Sequence, residues 1–160
     1  MQTIVVGYDA TAPAQRALAR AAELAEAFGA RLVVVSVGPL MPLGTASSAA
    51  DPMLVPLPPL TDPGIGIPEA REAAETDLER ARAALAGRSI QVDYLAVIGE
   101  AVYELVAAAE ERHADLIVVG TREPGFLDRL LGGSVSQTVA RSAHCDVLIV
   151  HPGHEPGATG

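Results

Sequence analysis

Two glycine-bearing stretches hold the residues best suited to bind an anion. Gly120-Thr121-Arg122 follows an apolar run, and Gly132-Gly133-Ser134-Val135 precedes a helical pattern. Glycines let backbone N–H groups approach a phosphate with no Cβ between them. Ser134, with Gln137 three residues on, has the spacing of a capping box, so a helix begins there and adds the positive end of its dipole. All eleven basic residues are Arg and none is Lys. That excludes a Walker-type lysine and a Schiff-base lysine, so a bound anion is met by backbone N–H groups or by Arg. Asp9 closes the apolar run Thr3 to Tyr8, just before Thr11-Ala12-Pro13. Its local chemistry fits an Asx turn or a cap for the helix that follows.

The remaining reactive side chains have simpler readings. Ser134 lacks the Gly-x-Ser-x-Gly elbow of a serine nucleophile. The single cysteine, Cys145, forms no internal disulfide, fits a reducing compartment and reads as a small buried hydrophobe. His144, His151 and His154 cluster in sequence with Cys145 and Asp146, but the Gly/Pro-rich end of the chain is a poor frame for metal ligands. His113 falls in a solvated helix-to-strand turn, and Glu69, Glu72, Glu75, Asp77 and Glu79 form the wet face of a helix. No paired acid and base or metal-ligand spacing is present, so no enzyme is expected.

The frame for these residues follows from composition and periodicity. At 160 residues, 49% hydrophobic and 3% aromatic, the chain is one domain whose core is Val, Leu, Ile and Ala, as in parallel strands buried on both faces. Apolar runs at Thr3–Tyr8, Leu32–Val37, Ile90–Val97, Leu116–Val119 and Val147–Val150 read as strands. Between them lie helical stripes: Ala14, Leu18, Ala21, Ala25 and Phe28, stopping near Gly29; Ala70, Ala74, Leu78, Ala81 and Leu85, stopping at Gly87; then Val102, Leu105, Val106 and Ala109. Residues 39–68 hold eight of the twelve prolines and read as a long, poorly ordered loop insertion; residues 153–160 read as a disordered tail. Alternating strands and helices with right-handed crossovers give a doubly wound α/β sheet, whose ligands bind outside the carboxyl ends of the strands where strand order reverses. That points to the loops after Tyr8 and Val119.

A net charge of −9 opposes contact with nucleic acid. The apolar runs are too short to span a bilayer, and the first residues do not form a signal peptide, so a cytoplasmic protein without membrane contact is expected.

Val5-Val6-Gly7-Tyr8-Asp9, Val118-Val119-Gly120-Thr121-Arg122-Glu123, Leu130-Leu131-Gly132-Gly133-Ser134-Val135 and the closing Ala143-His144-Cys145-Asp146-Val147-Leu148-Ile149-Val150 together resemble the universal stress protein family. The resemblance covers nearly the whole chain. It implies a Rossmann-like, adenine nucleotide alpha hydrolase-like domain over 1–152, five parallel strands in the order 3-2-1-4-5, and a role in stress response. It also implies a crevice for ATP or another adenine nucleotide, with Asp9 on the adenine edge and Val37 beside the base. Phosphates and ribose would lie near Gly120, Gly133, Ser134 and Val135. Pairing of two copies through the last strand is implied as well, and the apolar run Val147–Val150 suits an edge strand that takes a partner.

One position departs from the family's nucleotide-binding pattern of Gly, two residues, Gly, nine residues, then Gly-Ser or Gly-Thr. Glu123 stands where the second Gly is expected. A carboxylate repels a triphosphate, and its Cβ limits backbone approach. Two readings therefore stand side by side: a regulatory module that binds an adenine nucleotide, and a nucleotide-free member acting through dimerisation and protein contacts. An adenylate-dependent enzyme is a third, without residues to support it.

Overall fold

The computed structural model describes residues 1–39, 66–121 and 135–152. Its elements alternate: β1 (Thr3–Gly7), α1 (Ala12–Phe28), β2 (Arg31–Pro39), α2 (Ile67–Leu85), β3 (Val92–Gly99), α3 (Ala101–Glu111), β4 (Leu116–Gly120), α4 (Val135–Ser142) and β5 (Asp146–Val150). The five strands form one parallel sheet ordered β3-β2-β1-β4-β5, as expected. β1 is central, pairing Thr3 with Arg31 on one side and Ile4 with Leu116 on the other. The strand order therefore reverses between β1 and β4, and their carboxyl ends open a crevice there.

Successive strand residues point to opposite faces of the sheet. Ile4, Val6, Leu32, Val34 and Val118 meet α1 and α2 on one face, while Val5, Val33, Val35, Ile117 and Val119 meet α3 and α4 on the other. Both faces are covered, which is why these strands read as unbroken apolar runs. Each such Val, Leu or Ile contributes roughly 1.5–3 kcal/mol when fully buried.

α1 buries five alanines and Leu18, so its backbone lies close to the sheet. The Thr11 side chain caps it, Pro13 sits in its first turn, and Gly29 closes it in the left-handed conformation (φ 63°). Phe28 departs from expectation: it is 58% exposed, because it is the last helical residue and the stripe ends before it reaches the sheet. In α2 the expected stripe is buried in full. The helix begins at Ile67, so Pro68 lies in its first turn, where a missing N–H costs nothing, while β2 runs on to Pro39. The rest of the proline-rich segment, the tail 153–160, and Ser134 of the capping box lie outside the described residues. β3 begins at Val92, two residues later than the apolar run suggested.

β5 lies at one edge of the sheet, with Val147 to Val150 half-buried. Among the described residues no helix is long and apolar enough to cross a membrane.

Candidate functional site

The crevice at the β1/β4 reversal has a volume of about 370 Å³. Three strand-to-helix junctions open onto it. The β1–α1 turn contributes Asp9, Thr11 and Pro13; the β3–α3 junction contributes Ala101 and Leu105; β4 and the start of α4 contribute Gly120, Thr121, Val135 and Ser136. Val35 and Val37, at the end of β2, complete one wall. Asp9, Val37, Gly120 and Val135, four of the six residues picked out in the sequence, thus converge on one cavity. Gly133 and Ser134, and with them Glu123, lie outside the described residues.

The β1–α1 turn is tightly built. Asp9 Oδ1 accepts the Thr11 backbone N–H at 3.1 Å and the Thr11 hydroxyl at 2.5 Å, an Asx turn that leaves Asp9 exposed at the crevice. Thr11 Oγ1 in turn accepts the Ala14 N–H at 3.4 Å. Ala10 is held at φ 60°, a left-handed conformation unusual for a residue with a Cβ, and the Gln15 side chain donates to its carbonyl at 3.0 Å. Asp9 therefore serves as the local turn residue, and that geometry presents its carboxylate to the cavity.

Gly120 is explained by packing. A Cβ there would collide with the Pro13 carbonyl, so the end of β4 touches the first turn of α1 backbone to backbone.

Beneath the turn, Tyr8 is buried between α1 and α2. Burial raises its hydroxyl pKa above the ordinary tyrosine value, and Asp77 raises it further. The sequence pattern puts Asp77 of α2 on the wet face, but its side chain is only 22% exposed. Burial raises its carboxyl pKa; Arg80, 3.4 Å away, opposes the rise, and the charge of Asp9 adds to it. Negative charge is thus concentrated below the Asp9 side of the crevice, and none of the described lining residues is basic.

Sequence reading missed Glu100. It precedes α3 and its carboxylate accepts the N–H groups of Val102 (3.1 Å) and Tyr103 (2.9 Å). Glutamate is an uncommon N-cap, so the usual Ser/Thr/Asp/Asn signal was absent. Only the position directly after a strand-ending Gly99 hinted at it.

At the opposite end of the sheet, His144 Nδ1 lies 2.5 Å from Glu110 Oε1, both exposed. Cys145 lies near them, directly before β5, its thiol pKa raised by burial and then by Asp146 and Asp115, the reverse of what a reactive thiolate needs. No group of three metal-ligating side chains is assembled among the described residues.

Sequence and structure comparisons agree with this geometry. The model of the universal stress protein family matches residues 1–151. A universal stress protein of Thermus aquaticus is 36% identical over 155 residues, covering 93% of this chain and 98% of the relative. One from Mycobacterium tuberculosis is 35% identical over 150 residues, covering 94% and 96%. Among solved structures, a universal stress protein in complex with cAMP superposes with a TM-score of 0.62 at 32% identity, covering 95% of this chain and 98% of that one. With a family match over nearly its full length and the β1/β4 crevice of a doubly wound sheet, the chain belongs to the universal stress protein family.

Proposed function

We propose that this chain is a regulatory stress-response module that binds an adenine nucleotide in the β1/β4 crevice and works as a cytoplasmic homodimer paired through β5. The observation that carries the reading is the convergence of Asp9, Val37, Gly120 and Val135 on one cavity of about 370 Å³. Its apolar wall suits a flat base, and Asp9 supplies an acceptor for an exocyclic amino group. The cAMP complex of the 32% identical relative supports the same ligand class. Pairing through β5 is supported by its place at the sheet edge and its half-buried apolar face. A non-catalytic role is supported by the described lining, whose one carboxylate, Asp9, is engaged in the turn that starts α1.

The second reading, a nucleotide-free family member, draws on Glu123 in the sequence. Mass spectrometry of natively purified protein for retained nucleotide, followed by calorimetry with ATP and adenosine, separates the two. Under the proposal adenosine and ATP both bind, ATP weakly, Asp9→Ala weakens both, and Glu123→Gly tightens ATP by about 1–3 kcal/mol with little change for adenosine. Absence of any adenine ligand, together with an intact dimer in sedimentation, would establish the nucleotide-free reading instead.

A further inference from the structure

One side of the crevice is closed by an apolar cluster. Val35, Leu105 and Val119 are buried in it and Val37 packs against them, and all four also line the cavity. Leu105, from α3, is 3% exposed and reaches the last residue of β1, Gly7, which is itself part of the lining. A Cβ on Gly7 would stand 3.3 Å from Leu105 Cδ2, 3.7 Å from Leu105 Cδ1 and 3.9 Å from Val119 Cγ1. The first of these is tighter than an ordinary carbon–carbon contact, so the leucine methyl groups rest on bare backbone. Gly7 is paired in the sheet and is not among the glycines with positive φ, so position 7 uses its small size and not its conformational freedom. The hydrogen-bonding side chains of the described lining, Asp9, Thr11, Thr121 and Ser136, come from the other junctions, and β2 and α3 supply none.

From this packing we infer that Leu105, seated on Gly7, is the specificity-determining residue that sets how large a base the crevice accepts. The inference rests on the nucleotide reading above and concerns the base alone. With the exocyclic amino group on Asp9, the ring edge turned to α3 meets leucine and valine methyl groups and no donor or acceptor. A C–H edge suits that wall. An added atom meets Leu105, and a polar one also gives up its water without gaining a partner. Adenine carries only hydrogen at its 2 and 8 positions and fits, whereas a purine substituted on the edge facing Leu105 is refused.

The test is calorimetry with adenosine, 2-chloroadenosine and 8-chloroadenosine on wild type, Leu105→Ala, Gly7→Ala and the double variant. Wild type should bind one of the two chloro compounds roughly tenfold or more weakly than adenosine, the usual scale for one extra group in a closed apolar pocket. Leu105→Ala should bring that compound to within about threefold of adenosine. Gly7→Ala should weaken adenosine roughly tenfold, because the displaced Leu105 enters the cavity, and the double variant should recover the loss. Leu105→Val makes the same comparison with less lost packing should the alanine variant unfold. Equal binding of all three compounds by wild type, a refusal that survives shortening of Leu105, or no recovery in the double variant would overturn the assignment while leaving nucleotide binding intact. If adenosine itself fails to bind wild type, the nucleotide reading falls and this inference with it.

Discussion

The β1–α1 turn and the β3–α3 junction face the same crevice and do the same structural job, yet they are built from opposite materials. Both carry the chain from the carboxyl end of a strand into a helix. The first uses a left-handed residue, an Asx turn and a neutral Thr11 cap, and is further held by contact between Pro13 and Gly120. The second passes straight from Gly99, the last residue of β3, into α3 and relies on one carboxylate, Glu100, for two N–H groups. The first helix start is fixed by tertiary packing as well as by its cap, while the second is fixed chiefly by its own cap. Two junctions of one sheet thus reach the same backbone path with different charge at the helix start.

The largest expected effect comes from Gly120→Ala, which attacks the packing that distinguishes the two junctions. The new Cβ meets the Pro13 carbonyl, backbone that cannot rotate away, so α1 must shift off the sheet. Overpacking of this kind costs about 1–3 kcal/mol. Chemical denaturation should show that loss with and without nucleotide. Wild-type stability in the variant would mean that α1 approaches β4 loosely enough to admit a methyl group, and that Gly120 serves only a ligand.

Next comes Thr11→Ala, which removes the cap of α1 and the hydroxyl bonded to Asp9. A loss of about 1 kcal/mol in unfolding free energy is expected. Because Asp9 also loses a hydrogen-bond donor, adenine binding should weaken in the same variant. If stability falls and binding does not, the Asx turn is scaffolding alone and the functional contrast between the junctions disappears.

The two junctions also differ in how far their sequence could be read. Thr11-Ala12-Pro13 is a strong start signal and Gly29 a strong stop, so α1 was legible to the residue. Strand existence and sheet class followed from Val-rich runs, because both faces of every inner strand are buried. The strand order came from family resemblance, since periodicity carries no information on which strands are neighbours. Glu100 was missed because glutamate is rarely a cap, and Asp77 was misplaced because a charge on a helix stripe does not show that its neighbour is a buried tyrosine. Of the candidate site, Asp9 and Gly120 were legible as positions but not in their physical roles. Each is required by the backbone around it whatever the crevice holds.

Asp77→Asn carries the smallest effect, and it probes the acidic ground beneath the β1–α1 turn. Burial, and then the charge of Asp9, raise the Asp77 carboxyl above its usual value despite Arg80 nearby. The folded state thus holds this proton at pH values where the unfolded chain has already released it. With more protons bound in the folded state, stability contributed by this group is fully present below the unfolded carboxyl pKa of roughly 3.9 and is lost as pH rises through the folded pKa. At neutral pH the ionised Asp77 is therefore a net cost, and Asn, the same shape without the charge, removes it. Thermal unfolding across pH 3 to 7, roughly the window that spans both protonation states, should show the Asp77→Asn variant gaining on wild type as pH rises and then holding a constant advantage, within about 0.5 kcal/mol. The β3–α3 junction offers the control: Glu100→Gln alters a cap that packs against neither Tyr8 nor Asp77, so it should leave this pH dependence as it is in wild type. A variant at position 77 less stable than wild type at neutral pH would show that the pairing with Arg80 outweighs burial, and that the charge under the β1–α1 junction supports the turn.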